Sequence, residues 1–93
     1  MFVVVDHKVK DYAKWKPAFD NHGVTRRKSG SKGGMLFHVS GEPNHISILF
    51  EFDTKEHATA FYESEDLITV MQEAGVIGKP EILFAEKIED FKA

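Results

Sequence analysis

Five side chains on one short stretch of this sequence have both the types and the spacing to do chemistry. In "DYAKWKPAFDNHGVTRR", residues 11–27, Tyr12, Trp15, Phe19, His22 and Arg26 follow one another at steps of three, four, three and four. On a helix those steps form one stripe. A stripe that faces a core should stay apolar, whereas this one begins with aromatic rings and finishes with an imidazole and a guanidinium. If its polar end borders a cavity, His22 can move a proton near neutral pH, and Arg26 can hold negative charge developing on an enolate or phenolate. Trp15 and Phe19, joined by Tyr62, would then wall that cavity. The plainer readings are core packing for the two aromatics and a helix end running out into water for His22 and Arg26.

His7, near the end of the first strand, and His38, in the second, are further candidates for contact with a ligand. Parity along their strands does not decide whether they share a cavity with His22. The five histidines raise the question of a metal, but no HxxxH or HxH spacing occurs and no carboxylates are placed to complete a site. No metal and no cofactor is expected. Glu51, between Phe50 and Phe52, reads as a structural carboxylate on the less apolar sheet face. "RRKSGSKGG", residues 26–34, holds four basic residues and three glycines. It can cradle an anion, but it lacks a phosphate-loop pattern and reads as a solvated helix end and turn. No nucleophile elbow, paired catalytic carboxylates or dinucleotide fingerprint is present.

The elements that must position these residues follow from pattern. "FVVVDHKV", residues 2–9, is short and β-branched, which favours a strand. Asp11 offers an N-cap for a first helix running to about residue 28, with Pro17 either kinking it or beginning its main segment. The glycines of "GSKGG" turn the chain. "MLFHVS" (35–40) and "HISILFEF" (45–52) read as a hairpin around Gly41-Glu42-Pro43-Asn44. With Ser40 facing His45, one sheet face carries Met35, Phe37, Val39, Ile46, Ile48, Phe50 and Phe52 as core. The other carries Leu36, His38, Ser40, His45, Ser47, Leu49 and Glu51. Asp53 or Thr54 caps the next helix, with Glu56 completing a capping box on Asp53. A break near Ser64 precedes a helical stripe of Leu67, Val70, Met71 and Ala74, ended by Gly75. Pro80 opens a last strand, "EILFAEKI" (81–88).

Strand, helix, strand, strand, helix, strand is the order of an α+β, ferredoxin-like βαββαβ domain spanning residues 1–93, with a four-stranded antiparallel sheet and both helical regions on one face. The second sheet face still holds Leu36 and Leu49, with Leu83 and Ala85 beside them. An apolar open face on so small a chain predicts a homodimer joined sheet to sheet. The chain has no cysteine and a net charge of −3. The first excludes disulfides and thiolate chemistry, and the second argues against nucleic acid as a partner. With no signal or membrane-spanning segment, a soluble cytoplasmic protein is expected.

At this level the sequence resembles the dimeric α/β-barrel superfamily, which includes antibiotic biosynthesis monooxygenase-like and small cyclase-like proteins. The residues that carry the resemblance are "HKVKDYAKWKPAFDNH" (7–22) with Arg26, "ILFEFDTKEHATAFYES" (48–64) and "MQEAGVIGKPEILF" (71–84). It implies two sheets sharing a barrel and a ligand cavity between each sheet and its own helices. The superfamily spans cofactor-independent oxygenases, haem-degrading enzymes, lactone isomerases, polyketide cyclases and proteins without known activity, so it implies fold more strongly than chemistry. Haem-degrading members pair an Asn, a Trp and a His in another spatial order; Trp15, Asn21 and His22 on one helix depart from it.

Two functions are therefore expected in competition. One is a cofactor-independent monooxygenase or cyclase/isomerase acting on a small aromatic or polyketide-like substrate, with His22 and Arg26 catalytic and Trp15, Phe19, Tyr62, His7 and His38 binding. The other is a non-catalytic dimeric ligand-binding or stress-related protein. A closed space filled by Trp15, Phe19 and their neighbours would favour the second.

Overall fold

A computed structural model describes all 93 residues. The chain runs β1 (Phe2–Val9), α1 (Tyr12–Asn21), α2 (Gly23–Lys28), β2 (Ser31–Val39), β3 (Glu42–Phe52), α3 (Lys55–Tyr62), α4 (Glu65–Glu73) and β4 (Val76–Ala85). The four strands form one antiparallel sheet in the order β2-β3-β1-β4. Alternation in β1 sends Val3, Val5, His7 and Val9 to the helix side, where they meet Ile46, Ile48, Phe50 and Phe52 of β3. Trp15 of α1, Ala58 and Phe61 of α3 and Leu67 of α4 close over them to make one core. This is the ferredoxin-like arrangement that the element order predicts.

Three caps explain where the helices begin. Asp11 accepts from the Ala13 amide, Thr54 from His57 and Ser64 from Leu67, each satisfying an orphan donor of a first turn. The cap of α3 is thus Thr54, and the predicted Asp53–Glu56 box does not form. Asp53 instead accepts from the Thr54 amide and from His57 Nδ1 at 2.8 Å. Pro17 neither opens nor interrupts its helix: it lies inside α1, and the interruption falls at His22. There the Phe19 carbonyl, in the last turn of α1, takes a hydrogen bond from the Arg26 guanidinium at 2.7 Å, which ties α2 to α1.

Register is where the hairpin departs from expectation. Leu36 pairs with Ile48 and His38 with Ile46, while Met35 pairs with Leu49 and Phe37 with Ser47. Every β2 side chain therefore sits on the opposite face from the one predicted, as a shift of one residue requires. Leu36 packs against the core, whereas Met35 and Phe37 stand 55% and 51% exposed on the open face. The cause is the turn: Val39 pairs with Glu42 across Ser40-Gly41, with Gly41 at φ +79°, and the ladder then shifts before His38–Ile46. Pro43, which has no N–H to give, falls in that shift.

Two other boundaries move. The "GSKGG" segment is not a free turn, since Ser31 to Gly34 already belong to β2, and Gly34 approaches the Leu49 carbonyl so closely that a Cβ has no room. β4 begins at Val76 and ends at Ala85. Pro80 lies inside this edge strand, at an irregularity opposite His7, and residues 86–93 form neither helix nor strand. No helix is long and apolar enough to cross a membrane.

Candidate functional site

Between the sheet and the helices lies a narrow cleft, open to solvent, with about 50 Å³ of free volume. The stripe on α1 and α2 supplies one wall, and its period explains why: Trp15, Phe19, His22 and Arg26 all line the cleft. His7 lines it from β1, Ile48 and Phe50 from β3, Tyr62 from the end of α3, and Met71 and Ala74 from α4. Of the residues singled out in sequence, six are thus brought together. His38 is not among them: it is exposed on the edge strand β2, where its Nδ1–H donates to the Val39 carbonyl at 3.0 Å. Its register position beside Ile46 puts it at the hairpin end, where it lines a separate hollow with Tyr12 and Pro43.

The wall is mainly aromatic. Trp15, 3% exposed, stacks on Phe19 with centroids 5.0 Å apart, and Phe19 leads on to Phe50 at 6.3 Å. Tyr62 packs edge-on against Phe50, Phe61 and Phe84. The Arg26 guanidinium carbon lies 3.8 Å above the Phe19 ring centroid, a cation–π contact that holds the head group flat at the margin of the cleft.

Against this apolar background the polar atoms stand out. Both ring nitrogens of His7 and the hydroxyl of Tyr62 are buried without a hydrogen-bond partner. A buried polar group left unpaired costs about 1–3 kcal/mol, so three such atoms on residues lining one cleft need a reason. Burial lowers the His7 pKa, the Asp6 carboxylate opposing and His45 adding to the effect, so the ring is neutral at pH 7. Burial also pushes the Tyr62 hydroxyl well above the ordinary phenol value, although Arg26 pulls the other way; it is a proton donor, not a phenolate.

His22 is buried, at 8% exposure, and its Nε2–H donates to Asp66 Oδ2 at 2.9 Å. That bond fixes the tautomer: Nδ1 keeps the lone pair, and an imidazolium formed there would have a carboxylate beside it. Asp66 escapes a reading of the sequence because 44 positions separate it from His22. It stands in the first turn of α4, two residues beyond the Ser64 cap, and only the break between α3 and α4 brings it to the α1–α2 junction. No three His, Asp or Glu side chains converge to hold a metal ion.

No family model matches the chain, and no curated protein matches it. Solved structures do. A candidate antibiotic biosynthesis monooxygenase from Bordetella bronchiseptica superposes with a TM-score of 0.78 at 13% identity, covering 95% of this chain and 96% of that one. Another, from Nitrosomonas europaea, gives 0.69 at 18% identity, covering 96% and 100%. SnoaB, a cofactor-independent oxygenase from Streptomyces nogalater, gives 0.70 at 10% identity, covering 92% of each chain. The fold is therefore that of the antibiotic biosynthesis monooxygenase-like proteins, in agreement with the resemblance read from the sequence. At 10–18% identity, it is the fold that these likenesses establish.

Proposed function

We propose that the chain is a cofactor-independent monooxygenase, or a cyclase or isomerase using the same proton chemistry, acting on a small aromatic or polyketide-like substrate in the cleft. One observation carries the reading: a cleft that is open to solvent, walled by stacked aromatics, and lined by residues whose buried polar atoms lack partners. A planar ring with hydroxyl or carbonyl groups satisfies both features, burying its faces on Trp15 and Phe19 while giving His7 and Tyr62 their missing bonds. His22, oriented by Asp66, takes the substrate proton on Nδ1. Tyr62 and Arg26 stabilise the enolate or phenolate that results. In the oxygenase case the substrate supplies all the electrons. A ring CH₂ and O₂ give a ring C=O and water, so no reductant enters.

Oxygen uptake with an anthrone-type substrate tests this. Wild-type protein should consume O₂ with quinone formation, and His22→Asn should lose about 10²-fold or more in rate while still binding the substrate, as loss of a general base implies. Binding without turnover in the wild type, and no proton exchange at the substrate carbon, would favour the non-catalytic ligand-binding protein.

The reading includes a homodimer. One register row crosses all four strands on the open face, Met35–Leu49–Val4–Leu83, and every member is apolar. Phe2, Phe37 and Ala85 lie on the same face in the adjoining rows, so a second copy would cover a continuous patch.

A further inference from the structure

We infer that a second chamber beside the cleft receives a carboxylate carried by the ligand, and that Arg26 selects for it. The inference rests on the reading that an aromatic ligand occupies the cleft, and it narrows that ligand to aromatic acids. The chamber has about 190 Å³ of free volume and is reached past Phe19 and Arg26, which line both spaces. Its far wall is polar and bare: Ser31, Gly33 and Gly34 at the start of β2. Gly34 must stay without a side chain because a Cβ would strike the Leu49 carbonyl, so the same close strand approach that fixes the sheet keeps this wall open. The Ser31 hydroxyl is held only by a long contact of 3.4 Å to the Gly33 amide, which leaves it free for a ligand.

Arg26 is the half-buried cation between the two spaces, and it has no counter-ion. It forms no ion pair, and the single hydrogen bond of its guanidinium goes to the Phe19 carbonyl. The carboxylate whose field reaches it, Asp20, is held by Lys16 at 2.7 Å. A guanidinium has five N–H donors, and at a partly desolvated position an unpaired one binds an anion more strongly than a surface lysine does. Between Asp20 and Glu42 there are four cations, Arg26, Arg27, Lys28 and Lys32, and no acid, in a chain whose net charge is −3. Of these only Arg26 lines the chamber, while Glu51 pairs with Gly33 and the Asp53 carboxylate lies against Gly30, so the preference for an anion rests on Arg26. An aromatic acid laid along the stripe, with its ring on Trp15 and Phe19, carries its carboxylate to Arg26.

The test compares 2-naphthol with 6-hydroxy-2-naphthoate, the same ring without and with the acid, by calorimetric titration at low salt. Wild-type protein should bind the naphthoate about ten-fold or more tightly than the naphthol, a difference of about 1.4 kcal/mol, and added salt should shrink the gap. Arg26→Gln should bring the two affinities to within about twofold while naphthol binding persists, which also shows that the variant is folded. Ser31→Glu, which leaves Arg26 in place and puts a carboxylate in the chamber, should weaken the naphthoate alone. Equal wild-type affinities, or a preference that survives both substitutions, overturn the inference and leave the proposed function standing. Binding of neither compound overturns both.

Discussion

Both ring nitrogens of His7 are buried without partners, and that single residue makes the stability of the molecule respond to pH in a definite direction. Its pKa is lowered by burial, so the unfolded chain, with a histidine near 6.5, holds the proton more tightly than the folded one. The contribution of a neutral His7 is present above about pH 6.5 and is lost as the pH falls through that value. Urea unfolding at pH 7.5 and pH 5 should show this loss in the wild type, and His7→Leu, which keeps the volume and removes the titration, should show less of it. An unchanged difference would mean that other groups carry the acid sensitivity. Trp15 packs against the same histidine. At 3% exposure, packed on Tyr12, Phe19 and His7, it should cost about 3–5 kcal/mol when cut back to alanine, measured by denaturant unfolding. The types and spacing of Trp15, Phe19, His22 and Arg26 were legible because one helical period relates them. Asp66 was not, since nothing local ties a first-turn carboxylate to a histidine on another helix.

Among elements, β2 shows what a pattern of alternation can and cannot decide. The apolar residues of "MLFHV" lie on both parities, so either face can be drawn as core, and the decision passes to the turn. Ser40-Gly41 closes the hairpin tightly, and the shift at Pro43 then sets Leu36 against Ile48 and leaves Met35 outside. β3 offers no such ambiguity. Its Ile46, Ile48, Phe50 and Phe52 share one parity, and all four are buried as the pattern requires. The helices were legible for a different reason: Asp11, Ser64 and Gly75 are strong local signals whose effect does not depend on partners. Gly34 anchors β2 in its register through close approach to β3, so Gly34→Ala should destabilise the fold by about 3 kcal/mol or more. The check is thermal unfolding of the variant beside Gly33→Ala. A Cβ at position 33 meets no atom and brings only the strain of φ +118°. Equal losses at the two positions would show that conformation, not contact with Leu49, is what glycine provides there.

In the whole molecule, the sheet has one side covered by helices over a solvent-open cleft and one bare side with an apolar row across its middle. A pairing through that open side would bury Leu49, Val4, Leu83 and Met35 together. Leu49→Lys, which would bury an unpaired charge between two copies, should convert a dimer to a monomer in sedimentation at micromolar concentration. A wild-type monomer, or a dimer that tolerates the lysine, would count against that interface. On the helix-covered side, the proposed function requires an aromatic ligand to bind in the cleft under α1 and α4. An NMR titration of isotope-labelled protein with 6-hydroxy-2-naphthoate measures this directly, because Trp15 is the only tryptophan and its indole N–H gives a single resolved probe inside the cleft. Saturable shifts are expected at the Trp15 indole, His7, Tyr62 and Met71, with the open-face residues Val4 and Leu83 unmoved. Shifts confined to the open face, or none at millimolar ligand, would contradict it.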